Sequence, residues 1–281
     1  MSSVSAPILT ASSQTEVIVH PTAIVHPKAV LGVGVEIGPY CVVGPDVVLG
    51  DRVHLINHVS IDGRTRIGAD SKVFPFASLG QAPQDLKYNG EPSTLEIGAR
   101  SRIREQVTMN PGTEGGGMVT RVGDDGLFMV GCHVAHDCIL GDHVIMANNA
   151  TLAGHVVLGD FAVLGGLSAV HQFVRIGPHA MVGGMTGVEQ DVIPFGLVMG
   201  DRARLTGLNL VGMERRGFPR DDIQGVRSAY RMMFGPDGTL AERIDEVARV
   251  FSANQYVRQI VEFARAKSSR GLCQPRAPNG G

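Results

Sequence analysis

The sequence predicts a mostly β protein, a parallel β-helix of short strands followed by an α-helical domain. Three observations predict it. Aliphatic residues recur at every sixth position through most of the chain. Glycine is abundant and aromatic residues are scarce. Near residue 200 the apolar spacing changes from six to three and four.

The chain has 281 residues, with 25 Lys+Arg against 27 Asp+Glu and a formal net charge of −2. That balance argues against a broad nucleic-acid surface. With 37 Gly, no Trp and 5% aromatic residues, the core must be filled by Val, Ile, Leu, Met and Ala. No apolar run approaches the roughly 20 residues of a membrane span. Met1 to Thr15 has neither the basic start nor the apolar stretch of a secretory signal. Residues 1–16 are expected to form a disordered Ser-rich leader on a cytoplasmic chain. Cys41, Cys132, Cys138 and Cys273 form no CxxC pair, so reduced thiols are expected.

The β-helix is predicted over 17–200. Stepping by six from Val19 meets Val25, Leu31, Ile37, Val43, Leu49, Leu55, Ile61, Ile67, Val73 and Leu79. The register resumes at Ile97, and again from Val122 to Val188. Four places after each aliphatic stands a small or β-branched residue, such as Ala23, Val35, Cys41, Thr65 or Ala150. Glycine often follows the aliphatic directly, as at Gly32, Gly38, Gly50 and Gly68. Period six fits neither a helix nor an alternating strand. It fits a solenoid in which each hexad is a short strand plus a corner, and three hexads close one coil. The aliphatic and the small residue then point inward, and Gly, Asn and Asp tolerate unusual corner angles. At about 4.8 Å per coil, roughly nine coils would span about 40 Å. Cys41, Cys132 and Cys138 fall on inward positions and read as small buried hydrophobes.

Two segments break the register. Residues 80–96 are polar and carry two prolines, and residues 110–121 contain PGTEGGG. Insertions into a solenoid map to loops and often carry function. From 201 to 272 the pattern is helical. Ile223, Val226, Ala229, Tyr230 and Met233 share one face, and a capping box at Thr239 and Glu242 opens a second helix. Val257, Ile260, Val261 and Ala264 mark a third. Residues 273–281 are expected to be a disordered tail.

The chemistry is sought among His133, His136, His143, His155 and His171, none of which is an inward repeat position. An 18-residue coil puts His136, His155 and His171 near one side of the prism. Two chemistries remain open on these residues. One is a catalytic zinc held by three imidazoles, as in trimeric β-helix carbonic anhydrases. The other is an imidazole acting as general base, suited by its ordinary pKa of roughly 6.5.

HVAHDC (133–138), ANNATLAGH (147–155), AVHQF (169–173), QDLKY (84–88) and RRGF (215–218) together resemble the UDP-N-acetylglucosamine O-acyltransferases of lipid A biosynthesis. The resemblance covers about Val19 to Leu272, and QDLKYNGEP sits in an insertion that most other hexapeptide acyltransferases lack. It implies a left-handed β-helix, although parallel crossovers generally favour the right hand. It also implies a homotrimer with clefts between subunits. The activity implied is transfer of a 3-hydroxyacyl group from acyl carrier protein to the sugar 3-hydroxyl, without a metal or other cofactor beyond the carrier's 4′-phosphopantetheine.

Residue by residue, the resemblance implies that His136 is the general base and that Asp137 orients it. The Gly154 N–H would face the developing oxyanion. Asp85, Lys87, His133, His155 and Gln172 would hold the sugar nucleotide or the pantetheine arm. Asn209, Arg215 and Arg216 would contact the uridine and phosphate end. Gly184 matches the position that sets acyl length, and glycine there implies a long donor nearer myristoyl than decanoyl. Val211 and Arg202 depart from the family, standing where well-known members carry Glu and His. The competing readings are the zinc hydratase, a purely structural solenoid, and the later N-acyltransferase of the same pathway. QDLKY argues against the first, and the off-core histidines and loop insertions against the second. The third usually has a uridine-binding domain before its hexads.

Overall fold

The computed structural model describes residues 16–276. The expected leader, apart from Glu16, and the end of the expected tail lie outside these residues. The chain winds as a left-handed parallel β-helix. Three flat faces are built mostly of two-residue strands, each paired with the strand one coil away. The first face begins at Ile18–Val19, the second at Ile24–Val25 and the third at Val30–Leu31. Within uninterrupted coils the register advances by 18, as in Ile18↔Glu36 and Ile139↔Val157. It advances by 30 across the first insertion (Arg64↔Thr94) and by 25 across the second (Thr94↔Val119).

The core is the stack of inward hexad positions. Ile37, Leu49, Leu55, Ile61, Leu79, Ile103 and Leu152 are buried beside Val35, Cys41, Val53, Ala150 and Val156. All four cysteines are free and buried. Each fully buried Leu or Ile contributes about 1.5–3 kcal/mol.

The corners work differently from the expectation. The left-handed backbone falls on the residue just before the small one, where Tyr40, Arg52, His58, Asp137 and His155 have φ between 50° and 62°. Most glycines after the aliphatics, Gly32, Gly38, Gly50 and Gly68 among them, are absent from that region and serve close approach, whereas Gly80 at the first break has φ of 80°. A Cβ on Gly38 would lie 1.7 Å from the Ile56 carbonyl oxygen of the next coil. A non-glycine in that backbone region costs roughly 1–2 kcal/mol. Many such residues recover part of it by stacking, as Tyr40, His58 and Phe76 do at 4.9 and 5.0 Å. Such ring pairs contribute about 0.5–1.5 kcal/mol.

Both insertions are shorter than expected. Thr94–Ile97 and Val119–Val122 are already strands of the third face. The helical region starts later than residue 201, because Arg204–Leu208 pairs antiparallel with Gly196–Met199 and ends the first face. Four helices follow: α1 (Leu210–Arg215), α2 (Arg220–Met233), α3 (Leu240–Val250) and α4 (Gln255–Arg265). α2 buries Ile223, Val226, Ala229 and Met233, and α3 opens on the expected capping box, Thr239 N donating to Glu242 Oε2 at 2.7 Å. α1 escaped the sequence reading because six residues show too little periodicity.

The tail expected from Cys273 onward is partly fixed. Cys273 is 1% exposed, its N–H donates to the Asp191 carbonyl, and Leu205 N–H donates to the Gln274 carbonyl. Asp191, itself fully buried, accepts from the backbone N–H and Nε of Arg175 at 2.8 Å, and the Arg175 guanidinium lies over Phe263 of α4. This ion pair joins the last coils to the helices.

Candidate active site

Both insertions leave from the second face, after Ser78–Leu79 and Thr108–Met109, and return on the third. They therefore occupy one edge of the prism. The next corner of that edge lies between His133–Val134 and Ile139–Leu140 and holds His136 and Asp137. The corner after it holds Gly154 and His155, and the next Gln172 and Phe173. Steps of 18 from Asp137 meet His155 and Phe173, with φ of 60°, 62° and 65°.

His136 is 7% exposed, yet it sits in the corner and not on an inward position. Its Nδ1 lies 2.8 Å from Asp137 Oδ2. Asp137 also accepts from the Thr113 N–H at 2.8 Å on Oδ1 and from the Thr113 hydroxyl at 2.6 Å on Oδ2. Its own N–H donates to Thr120 Oγ1. These bonds hold a buried acceptor in one orientation, which places the His136 proton on Nδ1 and leaves Nε2 as a proton acceptor. Nε2 is 3.9 Å from Asp85 Oδ2 of the first insertion.

The His155 ring meets His136 edge-on at 5.1 Å and stacks on Phe173 at 4.4 Å. Burial lowers the His155 pKa; Asp137 and Asp85 pull it up and His136 pushes it down. His133 points Nδ1 at the Thr108 hydroxyl, 2.7 Å away, and burial, then His136, lowers its pKa. Gly154 packs directly on the His136 ring, since a Cβ there would lie 2.5 Å from His136 Cε1. The Gly154 N–H makes no hydrogen bond among the described residues. Lys87 is exposed, and its N–H donates to Asp85 Oδ1. Gln172 is exposed, and its carbonyl accepts from Arg270 Nε at 2.7 Å.

The other predicted residues lie elsewhere in the chain. Asn209 is the N-cap of α1, accepting from Gly212 N–H and donating to the His179 carbonyl. Arg215 is exposed, while Arg216 lies 4.9 Å over Phe161 on the edge between the third and first faces. Gly184 is exposed on the edge between the first and second faces, where a Cβ would meet only Gly166, its carbonyl oxygen at 3.3 Å. His143 does not join the cluster. It stacks on Phe161 at 4.4 Å, on the same edge as Arg216. Counting histidines missed this, because residue 143 lies one corner beyond residue 137.

Thr113, Thr120, Phe173 and Arg270 were not singled out from the sequence. Phe173 was legible as the next step of 18 after His155. Arg270 was not, because it meets its partner from 98 residues away.

The donor set does not fit a three-imidazole zinc centre. His136, Asp137 and His155 bring ligand atoms within 4.8 Å of one another. That is two imidazoles and a carboxylate whose oxygens both already accept hydrogen bonds.

Comparison with known proteins identifies the family. A sequence profile described as UDP N-acetylglucosamine O-acyltransferase, domain 2, matches residues 191–273. An acyl-[acyl-carrier-protein]--UDP-N-acetylglucosamine O-acyltransferase of Caulobacter vibrioides is 58% identical over 221 residues, covering 79% of this chain and 84% of that one. The protein of the same name from Methylobacterium radiotolerans is 56% identical over 205 residues, covering 73% and 75%. The solved UDP-N-acetylglucosamine acyltransferase of Campylobacter jejuni superposes with a TM-score of 0.87 at 40% identity, covering 92% of this chain and 100% of that one. Sequence and fold thus agree along nearly the whole described length, and the chain belongs to the UDP-N-acetylglucosamine O-acyltransferase family.

Proposed function

We propose that this chain transfers a 3-hydroxyacyl group from acyl carrier protein to the 3-hydroxyl of UDP-N-acetylglucosamine, the first step of lipid A biosynthesis, with His136 as general base. The observation that carries this reading is the fixed His136–Asp137 pair, 2.8 Å apart, with Nε2 free to accept a proton beside the first insertion. Nε2 takes the hydroxyl proton as the sugar oxygen attacks the thioester carbonyl. The resulting oxyanion is met by the Gly154 N–H. Collapse breaks the C–S bond, and the imidazolium returns its proton to the leaving pantetheine thiolate. Asp137 stabilises the imidazolium without being protonated itself, as in other acid-supported imidazole bases. The chemistry uses no metal and no cofactor other than the carrier's 4′-phosphopantetheine.

Asp85, Lys87, His133, His155 and Gln172 surround this base on one edge and bind the sugar nucleotide or the pantetheine arm. Asn209, Arg216 and Gly184 lie on the other two edges, and Arg215 ends the short helix that Asn209 caps. A site that uses both sets is completed by a neighbouring chain, which supports a homotrimer with active clefts between subunits. Gly184 is exposed and carries no side chain to shorten a groove, which supports a long acyl donor. No helix among the described residues is long and apolar enough to cross a membrane, in keeping with work in the cytoplasm on a carrier protein and a sugar nucleotide.

The test is a product assay with UDP-N-acetylglucosamine and a panel of 3-hydroxyacyl carrier proteins. His136→Ala is expected to fold and to lose at least about a hundredfold in turnover. Near-normal turnover removes His136 as the base.

A further inference from the structure

We propose that the second insertion is a working part of the catalytic centre, with Thr113 as a positioning residue that holds the Asp137 carboxylate in line with His136. This rests on the reading of His136 as base. The PGTEGGG segment, residues 111–117, broke the hexad register and received no role from the family resemblance.

Three donors converge on the Asp137 carboxylate: the Thr113 N–H, the Thr113 hydroxyl and His136 Nδ1. Two of the three come from one loop residue, and the Asp137 side chain is wholly buried. Gly116 of the same loop lies against the carboxylate so closely that a Cβ would fall 1.9–2.2 Å from its atoms. The loop's composition follows from that contact: a threonine to donate twice, and a glycine because nothing larger fits. The loop is also tied to the first insertion, since Glu91 accepts from Glu114 N–H on Oε1 and from Asn89 N–H on Oε2. The first insertion in turn brings Asp85 to 3.9 Å from His136 Nε2. One linked pair of loops therefore addresses both nitrogens of the imidazole.

A hydrogen bond donated to a carboxylate spreads its charge and weakens its hold on a neighbouring imidazolium. The charged and titratable groups facing His136 are Asp137, Asp85, His155 and His133. Removing the Thr113 hydroxyl leaves Asp137 Oδ2 the stronger partner of the imidazolium and frees the carboxylate to rotate.

The experiment uses the full chain with UDP-N-acetylglucosamine and a 3-hydroxymyristoyl carrier protein. Thr113→Val keeps the N–H and the shape of the side chain. It is expected to lower kcat about tenfold while KM for the nucleotide stays within roughly twofold. The acid limb of kcat/KM, which reports groups of the free enzyme, should move to higher pH. Thr113→Ser should restore both. An acid limb that stays in place overturns the proposal, as does a KM effect with kcat intact. If Thr113→Val fails to fold, Gly116→Ala, which displaces the carboxylate, should give the same split. His136→Ala separates the two claims. Activity surviving in that variant removes the base assignment, whereas an inactive His136→Ala beside an unaltered Thr113→Val removes only the role of the loop.

Discussion

Two edges of the prism are built from the same hexad and use the same corner position differently. On the edge between the third and first faces, His143, Phe161, His179 and Phe195 stack at 4.4, 4.8 and 5.3 Å with nearly parallel rings. No insertion interrupts that edge among the described residues, and Phe218 and Tyr256 close over its top. The His179 imidazole there acts as a flat apolar ring between two phenyl rings, while His143, at the open end of the stack, also holds Nε2 3.9 Å from Asp125 Oδ2. On the edge between the second and third faces the same column reads Asp137, His155 and Phe173, and only the last two stack. Below them the rings turn to 88°, His136 faces a carboxylate, and two loops close around the pair. The repeat places a ring at a corner. What surrounds the ring decides whether it is held by stacking or by a fixed carboxylate, the setting proposed for proton transfer.

The largest effect that would sharpen this contrast is the pair His136→Ala and His143→Ala. The first removes the proposed base and is expected to cost at least about a hundredfold in turnover. The second removes one exposed end of a stack and should leave turnover near wild type, with a stability loss of about 0.5–1.5 kcal/mol. Steady-state rates and melting curves of both variants check the difference. A comparable rate loss in both would dissolve the distinction between the edges.

Next in size is Gly154→Ala. The added methyl would meet His136 Cε1 at 2.5 Å and Nε2 at 2.7 Å. The imidazole has to move, so kcat should fall about tenfold or more while the solenoid, whose core the methyl does not enter, keeps its melting temperature. Full activity in this variant would mean that turnover does not depend on the seat of His136 against the coil above.

Much of this was legible in the sequence because a solenoid is nearly one-dimensional. Once Val19, Val25 and Leu31 set the step, most inward residues up to Val188 followed and both breaks stood out, although Leu95 and Thr120, which fall in the expected loops, are buried in strands of the third face. The corners were read less well. Gly38 was taken for conformational freedom, yet it answers to the Ile56 carbonyl of the next coil, a contact that exists only after winding. The site was legible where partners lie one coil apart, as Asp137 and His155 do. It was opaque where a loop folds back, because no spacing rule links Thr113 to Asp137 or Arg270 to Gln172.

Gly184 offers a smaller effect, on choice of substrate and not on rate. It lies on the edge between the first and second faces, beside Gly166 and the exposed Met185. Gly184→Met would put a long side chain on this exposed corner, its Cβ 3.3 Å from the Gly166 carbonyl oxygen, and should shift preference toward shorter 3-hydroxyacyl donors, read from product ratios with mixed carrier proteins. An unchanged ratio would confine the acyl chain to some other surface.

The smallest expected effect concerns the stacked edge itself and is one of stability alone. His179 lies between Phe161 and Phe195, and its Nδ1 is buried without a hydrogen-bond partner among the described residues. Burial, helped by the Arg216 charge and opposed by Asp160, pushes its pKa down to about 4. The ordinary value, near 6.5, is that of the unfolded chain. Between those two values the unfolded state binds a proton that the folded state does not, so unfolding is favoured as the pH falls. The stability held by the neutral ring is complete above about 6.5 and is lost on descending toward about 4. His179→Phe keeps a flat ring in the stack and takes no proton. Its melting temperature should match wild type at pH 7, since the unpaired nitrogen is also removed. Between pH 7 and pH 4.5 it should fall less than wild type does, by roughly a few degrees. The comparison is between the two slopes, because the carboxylates shared by both proteins contribute equally to each. Parallel slopes would show that His179 takes up its proton without leaving the stack, and the apolar character assigned to this edge would be wrong.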